Sequence, residues 1–166
     1  MKKILSYFAC AAIMFSFAAC GGKDGNVPEQ QEEYVDLGLP SGTLWKTSNE
    51  VNPDDEHGFY SYNEAMSAFS MQLPTELKWK ELINNCTWVK KGNGYEVSGN
   101  GKKIFLPGEG LVEQYGSFIT GGYYWSSTKP SGTIYILEFN PSQAPRTSDT
   151  GRGKMSVRLV RYSTLK

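Results

Sequence analysis

The sequence predicts an α+β domain rich in turns, and three observations carry the prediction. Two short segments have helix start signals, Ser61–Glu64 and Leu73–Thr75, and the second leads into a single apolar stripe. After residue 86 the chain breaks into short runs dense in Tyr, Trp, Phe and Val, residue types that pack well on pleated surfaces. The 18 glycines punctuate those runs too often for a helical bundle. With 166 residues, 39% apolar content and 13% aromatics, the chain has enough apolar mass for one real core.

The first 19 residues read as an address. Met1-Lys2-Lys3 is a positive start, and Ile4 to Ala19 is an apolar run interrupted only by Ser6, Tyr7 and Ser16. The run is short for a membrane span and ends in Ala18-Ala19-Cys20-Gly21, as a signal peptide does. Residues 20–33 are polar, Gly-rich and without periodicity, and read as a tether. At ~5–6 Å times the square root of its length, such a tether reaches roughly 20 Å. The folded domain is expected over 34–166.

Within it, Tyr34–Leu39 alternates as a strand, Pro40-Ser41-Gly42 turns, and Thr43-Leu44-Trp45 returns. Residues 52–58 form a polar loop. Its three acids lack the ligand spacing and terminal Glu of a calcium loop, so it is read as solvated. Ser61-Tyr62-Asn63-Glu64 has the capping-box form, which starts a helix over about Tyr62 to Ser70 with Ala65, Met66 and Phe69 inward. Pro74 disfavours helix at Leu73 and breaks the chain there. Thr75 caps a second helix, with Glu76 at the positive end of its dipole. Trp79, Leu82, Ile83 and Cys86 form its buried stripe, while Lys78, Lys80, Glu81 and Asn84 face out.

Strands follow at 87–89, 95–98 and 103–106, joined by Gly92-Asn93-Gly94 and Gly99-Asn100-Gly101. The stretch from Gly108 to Thr120 reads as a loop, the usual place for function. Residues 121–128, 133–139 and 155–161 are the last strands. By parity Arg158 and Arg161 lie on opposite faces of the closing strand, and one is expected to be buried against a carboxylate.

The residues around Cys20 resemble the lipobox of bacterial lipoproteins, with Phe17 where Leu is commoner. The resemblance implies cleavage before Cys20 and acylation, palmitate included, of its thiol and amine. Several chains on one residue give stable anchoring. Lys23-Asp24 is similar to the export tag of surface lipoproteins in some Gram-negative bacteria, which implies the outer membrane and outward display. A second resemblance covers the domain in order: Val35–Trp45, Leu73-Pro74-Thr75 with Asn84–Trp88, Ile104–Pro107, Gly122–Thr128 and Ser156–Arg161. Together they resemble the Fibrobacter succinogenes major paralogous domain of bacterial surface lipoproteins. That likeness implies a C-type lectin-like fold, two helices packed on a small twisted, mainly antiparallel sheet with long loops. The chain departs from sugar-binding lectins in lacking their Glu-Pro-Asn and Trp-Asn-Asp elements and paired disulfides. It departs from formylglycine-generating enzymes in lacking two active-site cysteines.

Function is bounded by what the residues can do. Removing Lys2 and Lys3 with the leader leaves 17−2=15 basic against 17 acidic residues, with no basic stripe for nucleic acid. Of the three cysteines only Cys86 lies in the domain, so no internal disulfide is expected, and its place on the stripe makes it a core thiol. A single histidine, His57, argues against a histidine-based metal site, and no cofactor is expected. Glu109 and Glu113 are the only acid pair with a claim on catalysis, and their spacing favours solvated acids. Tyr115, Phe118, Tyr123 and Tyr124 cluster around Gly-rich turns and are the candidate ligand-binding residues, with Trp125 assigned to packing. The expectation is a lipid-anchored, non-catalytic binding or adhesion module for a glycan or an extracellular protein. The alternative is a structural component of a surface assembly, and an enzyme is the least favoured reading.

Overall fold

A computed structural model describes residues 33–149 and 151–162, and the leader, Cys20, almost all of the tether and the last four residues lie outside that range. Along the chain, β1 (Tyr34–Asp36) and β2 (Thr43–Lys46) form a hairpin. The short β3 (Tyr60–Ser61) runs into α1 (Tyr62–Phe69), and α2 (Glu76–Asn85) follows. Next come β4 (Thr87–Lys91), β5 (Gly94–Gly99) and β6 (Lys102–Leu106), an antiparallel meander. The hairpin β7 (Leu111–Val112) and β8 (Phe118–Ile119) precedes β9 (Gly122–Trp125). The chain closes through β10 (Ile136–Asn140), β11 (Gln143–Ser148), β12 (Lys154–Met155) and β13 (Val160–Tyr162).

These strands make four small antiparallel sheets, ordered β1-β2-β13, β11-β10-β9, β3-β12-β7-β8 and β4-β5-β6. The α+β, C-type lectin-like expectation is therefore corrected: the described chain is mostly β, 42% strand against 16% helix, and no single sheet carries the two helices. The physical reason is element length. Helices of 8 and 10 residues are only about 12 and 15 Å long at 1.5 Å per residue, too short to cover a sheet. Strands of two to six residues, stopped by glycine turns, divide into separate sheets.

The local signals behave as read. Ser61 accepts from the Glu64 amide while the Glu64 carboxylate takes the Ser61 amide at 2.7 Å, a closed capping box. Thr75 caps α2. The β5–β6 connection places Asn100 and Gly101 at φ 49° and 69°, the two positive values a tight primed turn requires. The expected closing strand at 155–161 is split instead. Only bridges at Ser156 and Val157 link β12 to β13.

The core has two parts, and β9 with β10 divides them. Tyr124, Leu137 and Phe139 point to one side with Trp45, Trp79 and Leu82. Tyr123, Trp125 and Ile136 point to the other with Ala65, Leu73 and Met155. Strand parity thus assigns each ring to a side, and both sides are covered. The segments Leu73–Thr75 and Trp125–Thr128 are mated: Ser127 N donates to Pro74 O at 2.9 Å, and Glu76 N donates to Thr128 Oγ1 at 2.9 Å. The Trp79 indole N–H donates to Trp125 O at 3.3 Å and that of Trp125 to Tyr60 O at 2.7 Å. Glu81, expected to face out, is instead the clamp of the Pro40-Ser41-Gly42 turn, accepting Ser41 N at 2.8 Å and Ser41 Oγ at 2.6 Å.

Candidate functional site

The aromatic candidates separate in space. Tyr124 is fully buried, its hydroxyl donating to Pro107 O at 2.6 Å, and burial raises its pKa strongly. Tyr123 is buried on the opposite face of β9. Neither ring is available to a ligand, because both faces of β9 are covered. Tyr115 and Phe118 are exposed, at 92% and 49%, on the β7–β8 hairpin. That hairpin replaces most of the loop expected over 108–120. Phe118 packs its ring 5.5 Å from His57, which in turn lies 5.7 Å from Phe59. Cys20 lies outside the described residues.

The acids are occupied structurally. Glu109 accepts from Asn49 Nδ2 at 2.9 Å and Ser156 Oγ at 3.2 Å, while Glu113 pairs with Arg152 at 3.0 Å. The loop at 52–58 is organised rather than merely solvated. Asp55 accepts from the amides of His57 and Phe59 and pairs with Lys154 at 2.6 Å. Burial alone would raise the Asp55 pKa, but the Lys154 ammonium and the two amides hold it below the ordinary carboxylate value. Its stabilising contribution is therefore complete above the unfolded value of about 4 and is lost as the pH falls through the depressed folded value. Replacing Asp55 with Asn should flatten that acid limb in a stability–pH profile measured by urea unfolding. Among the described residues no group of three His, Cys, Asp or Glu side chains is placed to hold a metal. No described helix is long and apolar enough to cross a membrane.

Cys86 is half-buried at the C-cap of α2, packed against the Trp45–Trp79 side of the core. Burial, reinforced by the Glu81 carboxylate, pushes its thiol up to about 11. Thiolate is the reactive form, so the native thiol should react with a disulfide reagent roughly a hundredfold more slowly than in the urea-unfolded chain. A Cys10→Ser, Cys20→Ser background isolates that signal. Equal rates in the two states would contradict a shielded thiol.

Of the two arginines placed on opposite faces, Arg158 is the buried one, and in place of the expected carboxylate it donates to three neutral oxygens: Asn49 Oδ1 at 2.8 Å, Lys46 O at 2.8 Å and Phe105 O at 2.7 Å. Glu109 is one step away, through Asn49. Arg161 is exposed and lies over the Tyr34 ring at 4.4 Å.

Among the described residues, a cleft of 420 Å3 opens where several turns meet. Lys90, Asn93, Tyr95, Thr120, Phe139 and Asn140 line it, with glycines in its wall. Its size lies within the roughly 300–1,000 Å3 of small-molecule sites. Gly108 permits the close approach that shapes it, since a Cβ there would fall 2.0 Å from Asn93 O. Tyr95 and Phe139 meet edge to face at 5.1 Å and form its aromatic wall. Asn140 fixes the β10–β11 turn by accepting from Ser142 N at 3.0 Å. Of the lining residues only Gly108 and Thr120, the two ends of the stretch expected to carry function, lie within it. The Gly92-Asn93-Gly94 turn is legible in the sequence, but its meeting with the turn at Asn140-Pro141 is a consequence of tertiary packing.

Comparison with known protein families, with characterised proteins and with solved structures, C-type lectin-like folds included, gives no match for this chain.

Proposed function

We propose that this chain is an outer-membrane lipoprotein, anchored through acylated Cys20 and displayed at the cell surface, whose domain is a non-catalytic binding module. The observation that carries the reading is the cleft. Its lining combines aromatic and glycine surface with an ammonium, amides and a hydroxyl, and contains no histidine, cysteine or carboxylate. Such a set orients a ligand and offers no nucleophile–base pair. The ordered likeness to the Fibrobacter succinogenes major paralogous domain points to the same setting of surface lipoproteins. The mating of Leu73–Thr75 with Trp125–Thr128, and the Arg158 clamp, give the motifs of that likeness a structural role. This leaves recognition to the turns around the cleft.

Two measurements test the proposal. Cells fed labelled palmitate should label the wild-type chain and not a Cys20→Ser variant. The full chain, purified in detergent, should bind members of a glycan and extracellular-matrix array. Thr120→Trp, at an exposed position on the cleft rim, should abolish that binding without lowering the melting temperature, while Tyr115→Ala and Phe118→Ala reduce it less. Binding to nothing above background would sink the binding reading, and unchanged labelling of Cys20→Ser would sink the anchor.

A further inference from the structure

Resting on the binding reading above, we infer that the cleft takes an acidic sugar, a hexuronate unit of a polysaccharide, whose carboxylate pairs with Lys90. Lys90 is the one charged side chain in the lining. Its placement follows from strand register. Lys90 stands opposite Tyr95 on β5, so ammonium and ring share one face of the meander. The neighbouring lysine, Lys91, has the opposite parity and pairs with Glu96 at 2.8 Å, and Lys103 pairs with the same carboxylate at 3.2 Å. The two ammoniums on that outer face thus share a single carboxylate. Lys90 instead donates to Pro141 O at 3.2 Å, a neutral acceptor beside the cleft, and pairs with no carboxylate among the described residues.

The rest of the lining suits a sugar ring. The half-buried Tyr95 ring, backed edge to face by the buried Phe139 ring, and the exposed Pro141 ring offer apolar surface to the C–H face of a pyranose. Asn93 and Thr120 offer the donors and acceptors that hydroxyls require. Charge complementarity selects the acidic member of the class, because an anion beside a paired ammonium gains a charge-assisted bond that a neutral sugar lacks. The chain's formal net charge is zero, so no general positive field draws anions in, and discrimination must come from this local cation.

Calorimetry on the full chain in detergent, with trigalacturonate, its methyl ester and a neutral trisaccharide as probes, tests the inference. The acid should bind, more weakly as salt rises, and more tightly than its ester. Lys90→Met, which keeps most of the stem and removes the charge, should weaken acid binding about ten- to a hundredfold and ester binding much less. Lys90→Arg should retain it. Equal affinity for acid and ester, or no effect of Lys90→Met, overturns the inference while leaving a cleft that Thr120→Trp can still close. Binding of the neutral probe alone has the same meaning. Failure of all three probes also overturns the acidic-sugar inference, and the array then decides the broader reading separately.

Discussion

Replacing Arg158 with Met is expected to lower the stability of the domain by about 3–5 kcal/mol. The side chain is 1% exposed and donates to Lys46 O, Asn49 Oδ1 and Phe105 O. Those acceptors belong to the end of β2, the segment after it, and β6, so one planar guanidinium joins two sheets to the chain's last segment. Methionine fills much of the volume and supplies no donor. It leaves buried acceptors without partners, and that loss outweighs the relief of no longer burying a charge. Lys should recover only part of the stability, because a compact ammonium cannot reproduce the rigid fork that reaches three oxygens. Urea unfolding followed by tryptophan fluorescence measures both variants. A double-mutant cycle with Asn49→Ala should show coupling, since Asn49 hands the network on to Glu109 at 2.9 Å. A cost for Arg158→Met below about 1 kcal/mol would mean that the carbonyls find other donors.

This clamp marks the boundary of what the sequence made legible. Parity separated Arg158 from Arg161 and put one of them inside. It did not say that the partners would be carbonyl oxygens, because those are set by three segments far apart in the chain. The same division holds elsewhere. The capping box at Ser61, the break at Leu73, the cap at Thr75 and the Asn100-Gly101 turn are decided within a few residues, and local chemistry found them. Alternation placed Tyr123 and Trp125 opposite Tyr124, but not the second covered face, so Tyr123 and Tyr124 looked available when both are buried. Counting strands did not reveal that they form four sheets rather than one. The cleft was the least legible feature. Its lining comes from turns spread from Lys90 to Pro141, and only the packing of β5 and β6 against β9 and β10 brings them together.

Trp79→Ala should cost about 3–5 kcal/mol, lowering the melting temperature by roughly 10–20 °C for a domain of this size. Trp79 is fully buried on α2, with its ring 4.6 Å from Trp45 and 5.8 Å from Tyr124. Its N–H is the bond that fastens α2 to the end of β9. Truncation removes the largest apolar surface that α2 contributes and opens a cavity beside two fully buried rings, Trp45 and Tyr124, of the same core cluster. Phe at this position should cost less, about 1–2 kcal/mol, because most of the ring contact survives and only the bond to Trp125 O is lost. The comparison with Thr120→Trp separates scaffold from site. Trp79→Ala should lose ligand binding only in proportion to the fraction unfolded, so cooling the variant should restore it. Thr120→Trp should remain folded and unable to bind at every temperature. If cooling failed to restore binding to Trp79→Ala while its fold returned, the cleft would depend on α2 more directly than its lining indicates, and recognition would have to be sought across the core rather than in the turns alone.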